Sequence, residues 1–362
     1  MKTKSITLAI LAMASAGSGA AAFADDASGV TISGYIRAGV EQLNANGNAA
    51  WGLNASGTNA KSSTTNVAGR ANINFNGIED LGNGLKAEFQ VNNRFSPTGS
   101  GTVDDEHTLR SGTFASHDSF VGLKSSGWGE VRLGKGTTNI DDGRYENSVV
   151  LGPDNLLGWF GNAIDNNMVR YDLPVFFGAL NSSIQYSTEE NKTTNYNGTS
   201  HASFDVNYDV GNWGIDADYT TTSNAVTGGS ALVTGQTTAF SWASNAGTVG
   251  TLKQYHVTAQ YKPISDLQFA IEFQRDSLAG NADNKTALYA YYTLGATQLG
   301  LQGGAQTFSG GGKPEKSEKF VDAFVHYSLS KQTMLYLEAL YDKDGVASGS
   351  RNATIVGLQK SF

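Results

Sequence analysis

Along most of the chain the apolar positions recur at every second residue, the period of a strand whose two faces meet different surroundings. Val30, Ile32, Gly34, Ile36, Ala38 and Val40 share one face, while Thr31, Ser33, Tyr35, Arg37, Gly39 and Glu41 share the other. The alternation returns with Ala71, Ile73 and Phe75 set against Arg70, Asn72, Asn74 and Asn76. It returns again with Leu85, Ala87, Phe89 and Val91 set against Lys86, Glu88, Gln90, Asn92 and Arg94. Nowhere does a helical period of 3.6 replace it. The pattern predicts sixteen strands, at 29–42, 68–78, 84–94, 117–125, 129–137, 166–173, 178–188, 200–210, 212–222, 253–262, 266–276, 284–293, 297–308, 317–328, 331–342 and 351–362.

The connections alternate between short turns and long loops, the long ones at 43–67, 95–116, 138–165, 189–199, 223–252, 277–283, 309–316 and 343–350. Both ends of the strand array fall on the short-turn side, so the array is one antiparallel meander. The five prolines, Pro97, Pro153, Pro174, Pro263 and Pro314, all lie between predicted strands. Proline cannot donate to a ladder, so its exclusion implies strands paired along both edges. A meander with no free edge is a closed barrel.

The polar face carries Arg37, Arg70, Arg132, Arg170, Asp205, Asp216, Asp218, Glu272 and Glu338. Sixteen strands enclose an interior too wide for side chains to fill. The consistent arrangement is an all-β, antiparallel transmembrane barrel with its apolar face toward lipid and its polar face toward a water-filled lumen. A soluble sandwich would reverse the faces, and a secreted repeat protein would need a fixed period that is absent. Trp128, Phe176, Phe177, Trp213, Tyr261, Tyr327 and Phe362 cluster at the short turns, where an interfacial aromatic girdle belongs.

Composition narrows the partners. The net charge of −8 argues against nucleic acid, which needs clustered Lys and Arg. The absence of cysteine removes disulfides and thiolate metal sites. Residues 1–24 have the order of an export signal: Lys2 and Lys4, an apolar stretch at 6–14, then Ala22-Phe23-Ala24 as the cleavage site. The remainder, 25–362, is then a single barrel domain.

Several of these segments resemble one family. GVTISGYIRAGV (29–40), GIEDLGNGLKAEFQ (77–90), Val121-Gly122-Leu123 with Gly127-Trp128-Gly129, VRLG (131–134) and the terminal IVGLQKSF (355–362) are similar to Gram-negative trimeric porins of the neisserial and β-proteobacterial type. The resemblance implies a homotrimeric channel embedded in outer-membrane lipids and lipopolysaccharide, passing small hydrophilic solutes. It also implies a third long loop, 138–165, folded into the lumen, with Asp141, Asp142, Glu146 and Asp154 facing a basic wall. The inward candidates for that wall are Arg37, Arg70 and Arg132, with Lys86 and Arg94 beside them. Phe362 is the aromatic carboxy-terminal residue that assembly machinery reads in the family. The chain departs from the family at Arg37, where an acidic residue is usual, and Lys360 lies on the outward face of the last strand.

No nucleophile elbow, HExxH, P-loop or dinucleotide fingerprint occurs, so the sequence points to no enzyme and no cofactor. The five histidines, His107, His117, His201, His256 and His326, show no metal-ligand spacing. Two other functions remain open: a channel selective for a sugar or organic anion, and an adhesin or receptor barrel built on loops 43–67 and 223–252. Inward Tyr35 and Tyr336 are too few and too far apart to form the aromatic slide of a sugar channel.

Overall fold

The computed structural model describes residues 29–47, 61–98, 114–137, 164–188, 198–228, 238–239, 245–310, 313–344 and 349–362. The strands are β1 (Gly29–Gly47), β2 (Lys61–Gly82), β3 (Leu85–Phe95), β4 (Ser119–Ser125), β5 (Gly129–Thr137), β6 (Ile164–Asp172), β7 (Leu180–Ser187) and β8 (His201–Val210). They continue as β9 (Trp213–Thr227), β10 (Thr238–Ala239), β11 (Val249–Ile264), β12 (Leu267–Leu278), β13 (Asn281–Leu294), β14 (Thr297–Gly310), β15 (Lys313–Ser330), β16 (Thr333–Asp344) and β17 (Gly349–Ser361). Each strand of the cylinder pairs antiparallel with its sequence neighbour, and β1 pairs with both β2 and β17, which closes it. β10 is two residues pairing parallel with the end of β9, while β9 and β11 pair directly. The barrel proper therefore has sixteen strands.

Its faces are inverted relative to a soluble protein. Val30 and Ile32 are 66% and 60% exposed on the outside, while Arg37 and Glu41 on the opposite parity are 5% and 0% exposed. The same split holds at Ile271 and Phe273 outside against Glu272 and Gln274 inside. Leaving each such aliphatic or aromatic side chain in water would forgo roughly 1.5–3 kcal/mol, repeated around the whole girth. Bilayer hydrocarbon removes that cost, and a closed barrel satisfies every ladder hydrogen bond within it. Near the short turns Trp213 stacks on Tyr261 with ring centroids 4.3 Å apart, and Phe176, Phe177, Tyr327 and Phe362 are exposed beside them. This is the girdle expected from the sequence.

Three expectations need correction. The connection expected at 277–283 is a tight turn, and most of 309–316 is ladder. β12 passes to β13 through Ala279-Gly280, both at positive φ (51° and 79°), as a mirror-image two-residue turn requires. β14 and β15 continue pairing to Gly310 opposite Lys313. Polar residues on both faces here erase the alternation without breaking the ladder. β1 and β2 also run on together to Asn46 opposite Lys61, well past the expected 42 and 68, with Leu43 and Ala45 buried on the inner face where the outward-apolar pattern has ended. Finally, Pro263 and Pro314 lie inside the ends of β11 and β15 rather than between strands. Both coincide with register shifts, between Tyr261 and Ile264 and between Phe308 and Gly310, where a missing N–H breaks no regular pair.

The carboxy-terminal residue finishes the closure. The Phe362 backbone N–H donates to the Gly34 carbonyl at 3.0 Å, and the Gly34 N–H donates back to the Phe362 carbonyl at 3.1 Å.

Candidate pore lining

The cations on β1 to β6 form two groups. Arg37 and Arg70 are cross-strand partners, and Arg94 lies opposite Asn72, one same-face step from Arg70. Three adjacent strands thus bring three guanidinium groups to one inward patch, with Arg37 lying 5.6 Å from the Tyr35 ring centre. Arg132 and Arg170 make a second cross-strand pair on β5 and β6. Arg132 donates from Nε to Glu130, lies 3.7 Å from Glu88 and 3.6 Å from Asp172, and sits 4.8 Å over the Phe120 ring. Arg170 donates to Asp172 at 2.9 Å. Lys86 is separate: it faces Lys124 and Asp80 at the short-turn mouth, next to Asn83-Gly84.

This arc borders a cavity of 710 Å³ lined by Asn76, Glu88, Gln90, Arg132, Arg170 and Gln185, among others. At its rim, in the connection preceding β4, Asp118 accepts the Thr137 N–H at 2.6 Å and pairs with His117 at 2.7 Å. Burial alone would push the Asp118 carboxyl up, but His117, the Thr137 N–H and the charge of Arg94 outweigh it and hold the group below its ordinary value. Asp118 therefore faces Arg94 as an anion.

The opposite arc, β8 to β17, has the reverse sign and a different texture. Asp205, Asp216, Asp218, Glu272, Asp276, Asp283, Glu318, Asp322, Glu338 and Asp342 all point inward and are at most 9% exposed. Set against them, among the described residues of that arc, are Lys285, Arg351 and the imidazoles of His201, His256 and His326. Lys285 pairs with Asp276 at 2.9 Å and Asp283 at 3.6 Å, and Arg351 bridges Asp342 and Glu318. His326 contacts Glu338 at 2.8 Å and stacks on Phe324, which lies 5.6 Å from Tyr291. Tyr289, Tyr291, Phe320, Phe324 and Tyr336 pack together with Ile355 and Leu340 as an apolar cluster inside the lumen. The inward aromatics thus exceed the two expected. Strands β13 and β15 carry large residues on both faces, so parity alone does not separate them.

Asp141, Asp142, Glu146 and Asp154, assigned to the acidic side of the constriction, lie outside the described residues, as does the inward fold of their loop. The barrel wall itself carries an acidic arc facing a basic one. Its signal is present in the sequence as inward-parity acids on consecutive strands.

The model of the Gram-negative porin family matches residues 7–346. This chain belongs to that family. Among its relatives, major outer membrane protein P.IB of Neisseria meningitidis serogroup B / serotype 15 (strain H44/76) is 33% identical over 180 residues, 48% of this chain and 49% of the relative. This porin spans about half the length of the curated relatives it matches. Among solved structures, an anion-selective porin from Comamonas acidovorans aligns with a TM-score of 0.67 at 20% identity, covering 92% of this chain and all of that one. The trimer form of OmpT, an outer membrane protein of Vibrio cholerae, aligns with a TM-score of 0.63 at 15% identity, covering 93% of this chain and 100% of that one.

Proposed function

We propose that this porin works in the Gram-negative outer membrane as a homotrimeric channel for passive diffusion of small hydrophilic solutes and ions. The observation that carries the reading is the inverted barrel: apolar residues outside, and charged arcs of opposite sign inside beside an open cavity. Family membership, the name of the meningococcal relative and the trimeric Vibrio neighbour support it. On this reading residues 1–24 are the export signal, 25–362 are the single barrel domain, and the outer face meets membrane lipids and lipopolysaccharide. Arg37, Arg70, Arg94 and Arg132 line the basic side of the narrow zone, and Asp141, Asp142, Glu146 and Asp154 add to the acidic side. Lys86 serves the short-turn mouth, and Phe362 is the assembly signal. Opposed fixed charges orient passing dipoles and favour polar solutes over apolar ones.

Single-channel current in planar bilayers, with neutral sugars of graded size added, tests this. A general channel gives ohmic current reduced by every sugar small enough to enter. Saturable block by one sugar or organic anion would replace the reading with a substrate-selective channel. In favour of that alternative stand Tyr289, Tyr291, Phe320 and Phe324, although their burial against one another leaves little surface for a solute. A reconstituted barrel with no current would return the adhesin or receptor reading.

A further inference from the structure

His256 is packed among carboxylates from three neighbouring strands that diffusion does not require. It lies opposite Asp218, and Asp218 lies opposite Asp205; the adjacent Thr258 lies opposite Asp216 on one side and Glu272 on the other. Nδ1 of His256 is 3.0 Å from Asp218, and Nε2 is 2.5 Å from Glu272. The Tyr289 hydroxyl donates to the other oxygen of Glu272. One ligand atom each from Asp216, Asp218 and His256 lie within 4.8 Å of one another. Asp216, Asp218 and His256 are 5%, 5% and 2% exposed, and Oδ1 of Asp218 is buried with no hydrogen-bond partner.

A neutral imidazole has one N–H. Given to Glu272, it leaves the Nδ1 lone pair facing an Asp218 oxygen, two acceptors at hydrogen-bond distance with nothing between them. A cation there resolves the contact. An imidazolium proton would add one positive charge, whereas Asp205, Asp216, Asp218 and Glu272 are four buried carboxyl groups; it would also leave Asp218 Oδ1 unsatisfied. A divalent ion supplies twice the charge and engages the remaining carboxylate oxygens.

We propose that His256, Asp218 and Asp216 bind one divalent transition-metal ion, with Glu272 holding the histidine ring. The carboxylate–histidine–metal arrangement is a recurrent way to fix the tautomer of a ligating imidazole, and here Tyr289 in turn anchors Glu272. One nitrogen and two carboxylates suit zinc and its first-row neighbours better than calcium or magnesium, which take all-oxygen shells. Three protein ligands leave a fourth position for lumenal water. Ligand bonds of about 2.0–2.2 Å put tetrahedral ligand atoms roughly 3.4 Å apart, a spacing that the three ligand atoms, all within 4.8 Å of one another and with Nδ1 3.0 Å from Asp218, reach by small side-chain shifts. Sequence spacing hid the site because His256 is 38 residues from Asp218 and meets it only through the β9–β11 ladder. The proposal stands whether or not the barrel conducts.

The test uses the full barrel in detergent, stripped with a chelator and titrated calorimetrically with zinc chloride. One Zn²⁺ per chain should bind, more tightly than Ca²⁺ or Mg²⁺, and should raise the unfolding temperature. His256→Ala and Asp218→Asn should each weaken binding at least tenfold, and Glu272→Gln about tenfold. His326→Ala, at the pair with Glu338, should leave binding unchanged. Equal binding by wild type, H256A and D218N, or no binding by wild type, overturns the proposal. X-ray absorption at the zinc edge of the loaded wild type needs no variant to fold; a shell of oxygen alone overturns it as well.

Discussion

Two arcs of the same barrel use charge in opposite ways. On β3 to β6 the cluster around Arg132 stays partly wet: Arg132 is 28% exposed, Asp172 25% and Glu88 15%, with only Glu130 dry at 5%, and Arg132 and Glu88 border the open cavity. On β11 to β17 the corresponding groups are packed. Arg351 and its partners Glu318 and Asp342 are 2%, 4% and 1% exposed and abut the lumenal aromatic cluster. A wet charge projects its field into the solution but is screened within about 10 Å at 0.1 M salt, so it tunes ions more than it holds the fold. A dry charge binds its partners strongly and is costly to orphan. The first arc is built to act on what passes, the second to keep the wall in shape.

The sharpest way to break this comparison is to remove one cation from each arc. Arg351→Leu should lower stability by about 3–5 kcal/mol, because two buried carboxylates lose their partner. Arg132→Leu should cost less, about 1–2 kcal/mol, because its other partners are partly wet and Glu130, though buried, keeps Lys124 at 3.3 Å. Urea unfolding of the two variants in the same detergent decides it; similar losses would mean the two arcs do not differ mechanically.

Conduction should rank the arcs in reverse. Neutralising Arg37, Arg70 and Arg132 together should move the reversal potential across a salt gradient toward cation selectivity, more at low salt than at high. Replacing Asp141, Asp142 and Glu146 should move it the other way. A triple-arginine variant with unchanged reversal potential would remove these residues from the narrow zone.

Phe362 lies at the seam where the dense arc meets β1. Deleting it removes two backbone hydrogen bonds to Gly34 and the terminal aromatic, but no lining side chain. The amount of barrel reaching the membrane should fall, while the channels that do assemble conduct normally. Wild-type yields would refute the assembly role.

These differences also explain what the sequence reveals. Strand number, closure and facing follow from a two-residue period that lipid on one side and water on the other impose, so Arg37, Arg70 and Arg132 are readable as inward from parity alone. The reading weakens where that contrast disappears. Beyond the bilayer, at Leu43 to Gly47, the alternation inverts, with Leu43 and Ala45 buried inside and Asn44 and Asn46 on the other face, while the ladder with Lys61 to Thr65 continues. Inside the dense arc, Tyr289 and Phe324 face inward with the size and apolarity of lipid-facing residues. The pairing of His256 with Asp218 and Glu272 depends on register, which one strand's pattern does not contain.

The smallest effect tests whether the dense arc is limited by its side-chain network or by its backbone. The Asn83-Gly84 and Ala279-Gly280 turns share the same positive-φ geometry, 54° and 76° against 51° and 79°. Asparagine tolerates the left-handed region, whereas an alanine there carries a strain of about 1–2 kcal/mol. Ala279→Asn should therefore stabilise the β12–β13 hairpin by up to ~1 kcal/mol. Residue 279 lies in a turn whose carbonyl meets Asn245 and Asn281, whereas Arg351 meets Glu318 and Asp342, so the gain should add to the Arg351→Leu loss within about 0.5 kcal/mol. Additivity in the double variant would mean that turn and network stabilise the wall independently. A gain that vanishes once Arg351 is gone would mean the turn is held in strain by the buried network, and the dense arc would then be one cooperative unit rather than a set of hairpins.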